Sequence, residues 1–160
     1  RTGAFEDTSV LGSRTTGQPE TMDLTFYYPK MTDTDVVITS DEVSVKLYSN
    51  DSLTDVLTDY FRHPPETDVM PIMSENAVVN SVMQEPVSGV VTIDFSKEFI
   101  SGMNEGAAAE GAILQSIANT AGSLYGASQV IITIDNQLYE SGHIAFKQGE
   151  TISVDYYNVT

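Results

Sequence analysis

The chain has 160 residues, of which 41% are hydrophobic, and it contains no cysteine. That length suits one domain with its own buried core and no disulfide support. Seven lysines and arginines face 23 aspartates and glutamates, a formal net charge of −16, which argues against binding to nucleic acid or to anionic lipid. Because the acids are spread along the chain, they indicate a solvated exterior or, as an alternative, the attraction of a basic partner.

The first 20 residues are rich in Gly, Thr, Ser and Glu and show no sustained hydrophobic period, which predicts a flexible lead-in. A single domain is expected over residues 21–160. No stretch approaches the roughly 18 apolar residues of a membrane span, so this segment is not expected to insert into a membrane. Since the chain begins with Arg1 rather than Met, an upstream signal or lipid anchor is compatible with it, and the lead-in would then be a tether.

In the first half of the domain, the sequence predicts strands followed by a helix. Apolar and polar residues alternate over 24–28, which indicates a strand that Pro29 ends. Two further short strands are expected at 36–38 and 42–48. Apolar residues then recur at helical spacing from Ser52, a capping residue, to Arg62.

In the second half of the domain, strands and helices are again expected to alternate. An antiparallel hairpin is expected from strands 78–85 and 90–95, followed by a single helical turn at 96–100. A long helix rich in Ala and Gly is expected over 105–125, ending at Gly126, and its small residues predict close packing on a sheet. The apolar run of 130–135 predicts a strand buried on both faces, and 144–146 and 151–157 are weaker strand candidates. We therefore expect an α+β fold: a small mixed or antiparallel sheet packed against two helices.

Few residues suggest catalysis. His63 ends the first helix and His143 lies in a Ser-Gly-His turn, and neither accompanies a nucleophile motif. Asp94 and Glu98 are four residues apart, a pair that glycosidases use across a cleft, but we expect Asp94 to cap the turn at 96–100. The sequence thus predicts no catalytic residue.

Ligand-binding motifs are also few. No glycine-rich phosphate loop is present, and we expect no cofactor. The acids at 33, 35, 41 and 42 suggest a solvated loop, with a calcium site as the alternative. The domain would then make contact through exposed aromatic rings, and the candidates for a partner or ligand surface are Tyr27, Tyr156 and Tyr157.

Several motifs of the second half resemble the GerMN (sporulation and spore germination) domain family. The match extends over about residues 22–146. It rests on a Pro-containing loop, a strand ending in Ile-Asp-Phe-Ser, a helix with Gln-Ser-Ile-Ala-Asn-Thr-Ala, a strand ending in Asp, and a late Gly-His. In this chain the motifs are Pro71, Gly89 with 93–96, 115–121, 130–135 and 142–143. Asn136 stands where the family has the Gly of an Asp-Gly turn, and Asn tolerates that left-handed conformation.

The resemblance implies a fold similar to ring-building modules and a place outside the cytoplasm, in a membrane-anchored lipoprotein of a Gram-positive bacterium. It also implies a non-catalytic scaffold that binds an envelope protein or a second copy of itself. A sheet edge or the Ala/Gly-rich helix would be the docking surface. The alternative is a domain that binds cell-wall glycan or peptide through the tyrosines, and the third hypothesis is an enzyme of unrecognised type.

Overall fold

The computed structural model describes residues 20–47 and 52–160, where strands and helices alternate in the α+β order that the sequence predicts. The predicted lead-in, apart from Glu20, lies outside the described residues. The elements are β1 (Glu20–Met31), β2 (Val36–Leu47), α1 (Leu53–Arg62), β3 (Val79–Gln84), β4 (Val91–Phe95), α2 (Glu98–Ser101), α3 (Ala107–Tyr125), β5 (Gln129–Ile134), β6 (Gln137–Leu138) and β7 (Ile152–Ser153).

β1 and β2 form a long antiparallel hairpin, paired from Glu20 opposite Leu47 to Met31 opposite Val36. The prediction of two short strands at 36–38 and 42–48 is therefore wrong, and Tyr48 lies outside the described residues. The polar residues 39–41 resemble a turn in sequence, but they pair with 26–28 of β1. Cross-strand pairing with a strongly apolar partner thus overrides their weak strand propensity.

Pro29 does not end β1, contrary to expectation. It lies opposite Ile38 at a pair whose backbone groups point away from each other. The Pro29 carbonyl accepts a hydrogen bond from the Met70 N–H at 2.8 Å, and the Ile38 carbonyl accepts one from the Thr160 N–H at 2.8 Å. Such pairs alternate with hydrogen-bonded pairs in an antiparallel ladder, so proline loses no bond to β2 here.

The second sheet has the order β3-β4-β5-β6, and β7 also pairs with β5. The hairpin of β3 and β4 is antiparallel, as predicted, whereas β4 and β5 are parallel and need a crossover, which α3 supplies. The segment 151–157 contains only the two-residue β7, and near 144–146 there is only an isolated bridge between Glu140 and Ala145. In β5, Val130 and Ile132 are buried but Ile131 is half-buried, so burial on both faces is partial.

The long helix α3 packs against both the hairpin and the second sheet, and thirteen of its residues are buried. Most of this helix is therefore covered within the domain, which leaves little of it for the docking surface that its composition suggested. A Cβ atom added at Gly122 would lie 2.5 Å from Val154 Cγ1 and 2.8 Å from the Ala127 carbonyl oxygen, so this position needs glycine. Gly126 ends the helix with a φ of 67°, as predicted.

The first helix, α1, begins as expected, because Ser52 Oγ accepts a hydrogen bond from the Asp55 N–H. Its Phe61 ring contacts Phe26 of β1 edge-on at 5.8 Å and lies 6.1 Å from Phe95 of β4. These aromatic contacts join the hairpin and the second sheet in one core. No helix among the described residues is long and apolar enough to cross a membrane.

Candidate functional site

A buried carboxylate organises the start of α3. Glu110 has a side chain only 1% exposed, although it lies on the same helical stripe as Ile113 and Ile117. Tyr139 Oη and Ser141 Oγ each donate to Glu110 Oε2 at 2.5 Å, and His143 Nδ1 lies 3.2 Å from Oε1. We call Glu110, Tyr139, Ser141 and His143 the Glu110 cluster. It fastens the loop after β6 to α3.

The cluster keeps Glu110 ionised. Burial raises the pKa of Glu110, but the hydrogen bonds from Ser141, Tyr139 and His143 together outweigh it, so the pKa lies below its ordinary value. Burial, followed by the bond to Glu110, raises the pKa of Tyr139, which stays a neutral donor. The position of Glu110 in the first turns of a helix also favours a negative charge.

The Glu110 cluster does not have the connectivity of a Ser-His hydrolase, where histidine lies between the carboxylate and the serine. Here the carboxylate is central and contacts both Ser141 and His143. Ser141 Oγ accepts the N–H groups of His143 and Ile144, both at 3.1 Å, so it closes the turn. Two clefts on the described surface, one near Phe99 and one near Val56, are not lined by Glu110 or His143.

A second buried carboxylate, Asp94, corrects an expectation. Asp94 does not cap the turn after β4: α2 begins after Lys97 without a side-chain cap. Instead, Asp94 Oδ1 accepts from Thr133 Oγ1 at 2.5 Å and from the Asn136 N–H at 2.7 Å, and Oδ2 accepts from Asn80 Nδ2 at 2.9 Å. The parallel pairing of β4 with β5 brings Thr133 beside Asp94, and the antiparallel pairing of β4 with β3 brings Asn80 to the other side.

Asp94 thus holds the turn between β5 and β6. Asp135 and Asn136 of that turn have φ angles of 48° and 65°, the left-handed conformation that the sequence predicted for Asn136. Because both oxygens of Asp94 accept hydrogen bonds within the fold, its carboxylate serves structure rather than acid–base chemistry with Glu98.

The remaining charged candidates lie on the surface. His63 ends α1 and contacts Asp59 and Glu75 at 3.1 and 2.6 Å, and these hydrogen bonds raise its pKa. The four acids that the sequence suggested as one loop lie in two different places. Residues 33 and 35 are in the turn between β1 and β2, whereas residues 41 and 42 are within β2. No group of three or more His, Asp or Glu in the described ranges is placed to hold a metal ion.

The structure brings together two of the three predicted contact residues. The ring centroids of Tyr27 and Tyr156 are 5.6 Å apart, with an angle of 31° between the ring planes. Tyr156 is 44% exposed, and the neighbouring Tyr157 is 99% exposed. We call Tyr27, Tyr156 and Tyr157 the tyrosine patch. Exposed tyrosines of this kind are enriched in protein interfaces and in ligand-binding surfaces.

Adjacent residues of α3 hold the two chain segments of the patch. The buried side chain of Asn119 donates to the Asp155 carbonyl at 3.0 Å and accepts from the Asp155 N–H at 2.9 Å. Thr120 Oγ1 accepts from the Tyr27 N–H at 2.9 Å. The backbone beneath Tyr27 and Tyr156 is therefore fixed on the same support. Sequence reasoning missed Asn119, although a polar residue within a buried helical stretch is the signal that would have indicated it.

Comparisons with known proteins agree with this architecture. The family model Germane, described as sporulation and spore germination, matches residues 25–140. The chain belongs to the Germane family. A search among curated proteins finds no sequence match. The predicted GerMN-like fold and the family assignment are both confirmed.

Solved structures show the same fold. The tandem GerMN domains of the sporulation protein GerM from Bacillus subtilis match with a TM-score of 0.60 and 18% identity, over 92% of this chain and 50% of theirs. The first GerMN domain of the same protein matches with a TM-score of 0.59 and 17% identity, over 82% of this chain and 97% of that domain. This chain thus spans half the length of the tandem-domain protein and corresponds in fold to one Germane domain.

Proposed function

We propose that this Germane domain is a non-catalytic binding module that holds an envelope protein or a second copy of itself during sporulation or germination. One contrast carries the proposal. The buried carboxylates of Glu110 and Asp94 are each bonded internally and hold loops. In contrast, Tyr156 and Tyr157 are exposed, and the half-buried Tyr27 lies beside Tyr156 on a fixed backbone. A surface that is rigid and aromatic suits partner recognition, because little conformational freedom is lost on binding.

The proposal includes a location and a domain organisation. Residues 21–160 form the domain, and residues 1–20 form a tether to an upstream lipid anchor, which places the module outside the cytoplasm of a Gram-positive bacterium. The resemblance to the GerMN family supports this location. An endogenous copy should enter the detergent phase with lipoproteins, and globomycin should block its maturation.

Partner capture tests the function. The full chain, immobilised and mixed with envelope extract under a short-range crosslinker, should retain a specific protein. The triple variant Tyr27→Leu, Tyr156→Leu and Tyr157→Ala should lose it. A matched control carries Met83→Ala and Val87→Ala, which change exposed apolar residues of β3 and of the following turn. Capture that is absent, or that the tyrosine variant retains in full, would refute the proposal.

A second candidate function is the binding of wall glycan or wall peptide. The adjacent rings of Tyr27 and Tyr156 favour it, since sugars pack against aromatic faces. The chain contains no tryptophan, so tyrosine fluorescence can report binding directly. Titration with purified muropeptides should then change the emission of the wild type but not of the double variant Tyr27→Leu and Tyr156→Leu. A flat wild-type titration removes this candidate.

A further inference from the structure

The outer face of the β1–β2 hairpin places a carboxylate beside the tyrosine patch. Residues opposite each other in an antiparallel ladder point to the same face. Thr25 is paired with Glu42 and Tyr27 with Ser40, so Glu42 and Tyr27 are diagonal neighbours on one face. Diagonal neighbours lie roughly 7–8 Å apart, which long side chains bridge readily. Glu42 is exposed, and so is free to meet a ligand.

Electrostatics link the same two residues. Burial raises the pKa of Tyr27, and the negative charge of Glu42 raises it further. Asp23 lies on this face as well and accepts a hydrogen bond from Ser44 Oγ at 2.5 Å. The hairpin's nearest basic residue on the same face is Lys46, which is opposite Thr21 and four pairs beyond Glu42. The surroundings of Tyr27 are therefore negative, on a chain with a net charge of −16.

We propose that Tyr27, Tyr156 and Glu42 form a subsite for an arginine side chain of the protein partner. The guanidinium would contact the ring faces and pair with the Glu42 carboxylate. This inference rests on the proposed function and adds the chemistry of the partner. Electron-rich ring faces attract cations, and an adjacent carboxylate strengthens the attraction and provides a hydrogen-bond acceptor.

Arginine fits this subsite better than lysine, a metal ion or a neutral sugar does. Its planar guanidinium can stack on a ring and donate two hydrogen bonds to one carboxylate, which a lysine ammonium cannot do. A bare metal ion would need several oxygen ligands, and the described residues present no such group. A neutral sugar would use the rings but would gain little from Glu42, so the role of Glu42 distinguishes arginine from glycan.

A peptide titration with the full chain tests the subsite. The probe is a dye-labelled peptide of four Gly-Arg repeats, followed by fluorescence anisotropy. Its control is the same peptide with citrulline, which is a neutral analogue of arginine. The arginine peptide should bind more tightly than the citrulline peptide, and added salt should weaken it. Equal binding of the two peptides would overturn the inference.

Variants separate the subsite from general attraction to an acidic protein. Glu42→Gln and Glu66→Gln remove the same charge, one beside Tyr27 and one in the exposed loop after α1. Glu42→Gln should weaken arginine-peptide binding about threefold to tenfold relative to Glu66→Gln, and Tyr156→Leu should act similarly. Tyr156 is 44% exposed, so its variant should fold even if a change at Tyr27 does not.

The outcomes also separate this inference from the proposed function. If Glu42→Gln, Tyr156→Leu and Glu66→Gln bind the arginine peptide alike, the arginine subsite is refuted. The proposed function survives that result if the tyrosine variant still loses its envelope partner. If the tyrosine variant also retains its envelope partner in full, the arginine subsite and the proposed function are both refuted. Fluorescence changes with muropeptides, but none with the arginine peptide, would assign the patch to glycan.

Discussion

Two side chains of α3 hold the two segments that follow β5, and they do so with different chemistry. Glu110 holds the loop of residues 139–143 with a charge that accepts several hydrogen bonds. Asn119 holds the segment around Asp155 with a neutral amide that donates and accepts at once. A buried charge needs many donors and responds to pH, whereas an amide matches one peptide group and does not. The tyrosine patch depends on the neutral support.

The largest effect should come from removing the charge. Glu110→Ala leaves the buried Tyr139 hydroxyl without its acceptor and should lower the free energy of unfolding by about 3 kcal/mol. Glu105→Ala, which removes an exposed acid just before the same helix, should change it by less than about 0.5 kcal/mol. Urea unfolding followed by circular dichroism measures both. Equal effects would show that Glu110 is no anchor.

Asn119→Ala should lower the free energy of unfolding by less, about 2 kcal/mol, because two hydrogen bonds to neutral backbone groups are lost. It should also free the segment of Tyr156 and so weaken binding of the arginine peptide, as Tyr156→Leu does. Glu110→Ala should leave that binding unchanged. If both variants disturb it equally, the two anchors are not independent.

Gly122→Ala tests the contact beneath the neutral anchor. The added methyl group meets Val154 and the Ala127 carbonyl, so we expect a loss of about 1.5 kcal/mol. Gly111→Ala, in the same helix but facing open space, should instead stabilise the protein by about 0.5–1 kcal/mol. Thermal unfolding of the pair gives the comparison, and opposite shifts in Tm are expected. A stabilising Gly122→Ala would show that Val154 does not pack there.

The smallest effect should be the pH dependence of the charged anchor. The pKa of Glu110 lies below its ordinary value of 4.5, so its contribution to stability is present above pH 4.5 and is lost as pH falls through the folded-state pKa. The difference in unfolding free energy between wild type and Glu110→Gln should therefore shrink below pH 4.5. For Asn119→Ala the difference should stay constant. If the free-energy difference depended on pH in the same way for both variants, the contrast between a charged and a neutral anchor would be wrong.

Local features of this fold could be predicted from the sequence. The Ser52 cap, the left-handed Gly126 and Asn136, and the hairpin of β3 and β4 depend on neighbouring residues, and their expectations are confirmed. The continuity of β2 was missed because its residues 39–41 become a strand only when β1 pairs with them.

The polar anchors show where sequence reasoning ends. The partners of Asp94 lie up to 42 residues away, and those of Glu110 lie 29 to 33 residues away. No local pattern specifies such contacts, since they arise from the parallel crossover and the folding back of the chain. One signal was available for Glu110, because an acid on the stripe of Ile113 and Ile117 must find partners in the core. Tyr27 and Tyr156 were predicted individually, but their contact was not.

The divided edge of β5 has a consequence for aggregation. β4 pairs with one edge of this apolar strand, and the other is covered in two pieces, with β6 beside 133–134 and β7 beside 129–130. An open edge on such a run is a template for strand addition and fibril growth. β6 leads into the loop that Glu110 holds, and β7 leads into the segment that Asn119 holds. Loosening either anchor would uncover part of that template, so the two residues protect the domain from fibril-type aggregation as well as from unfolding.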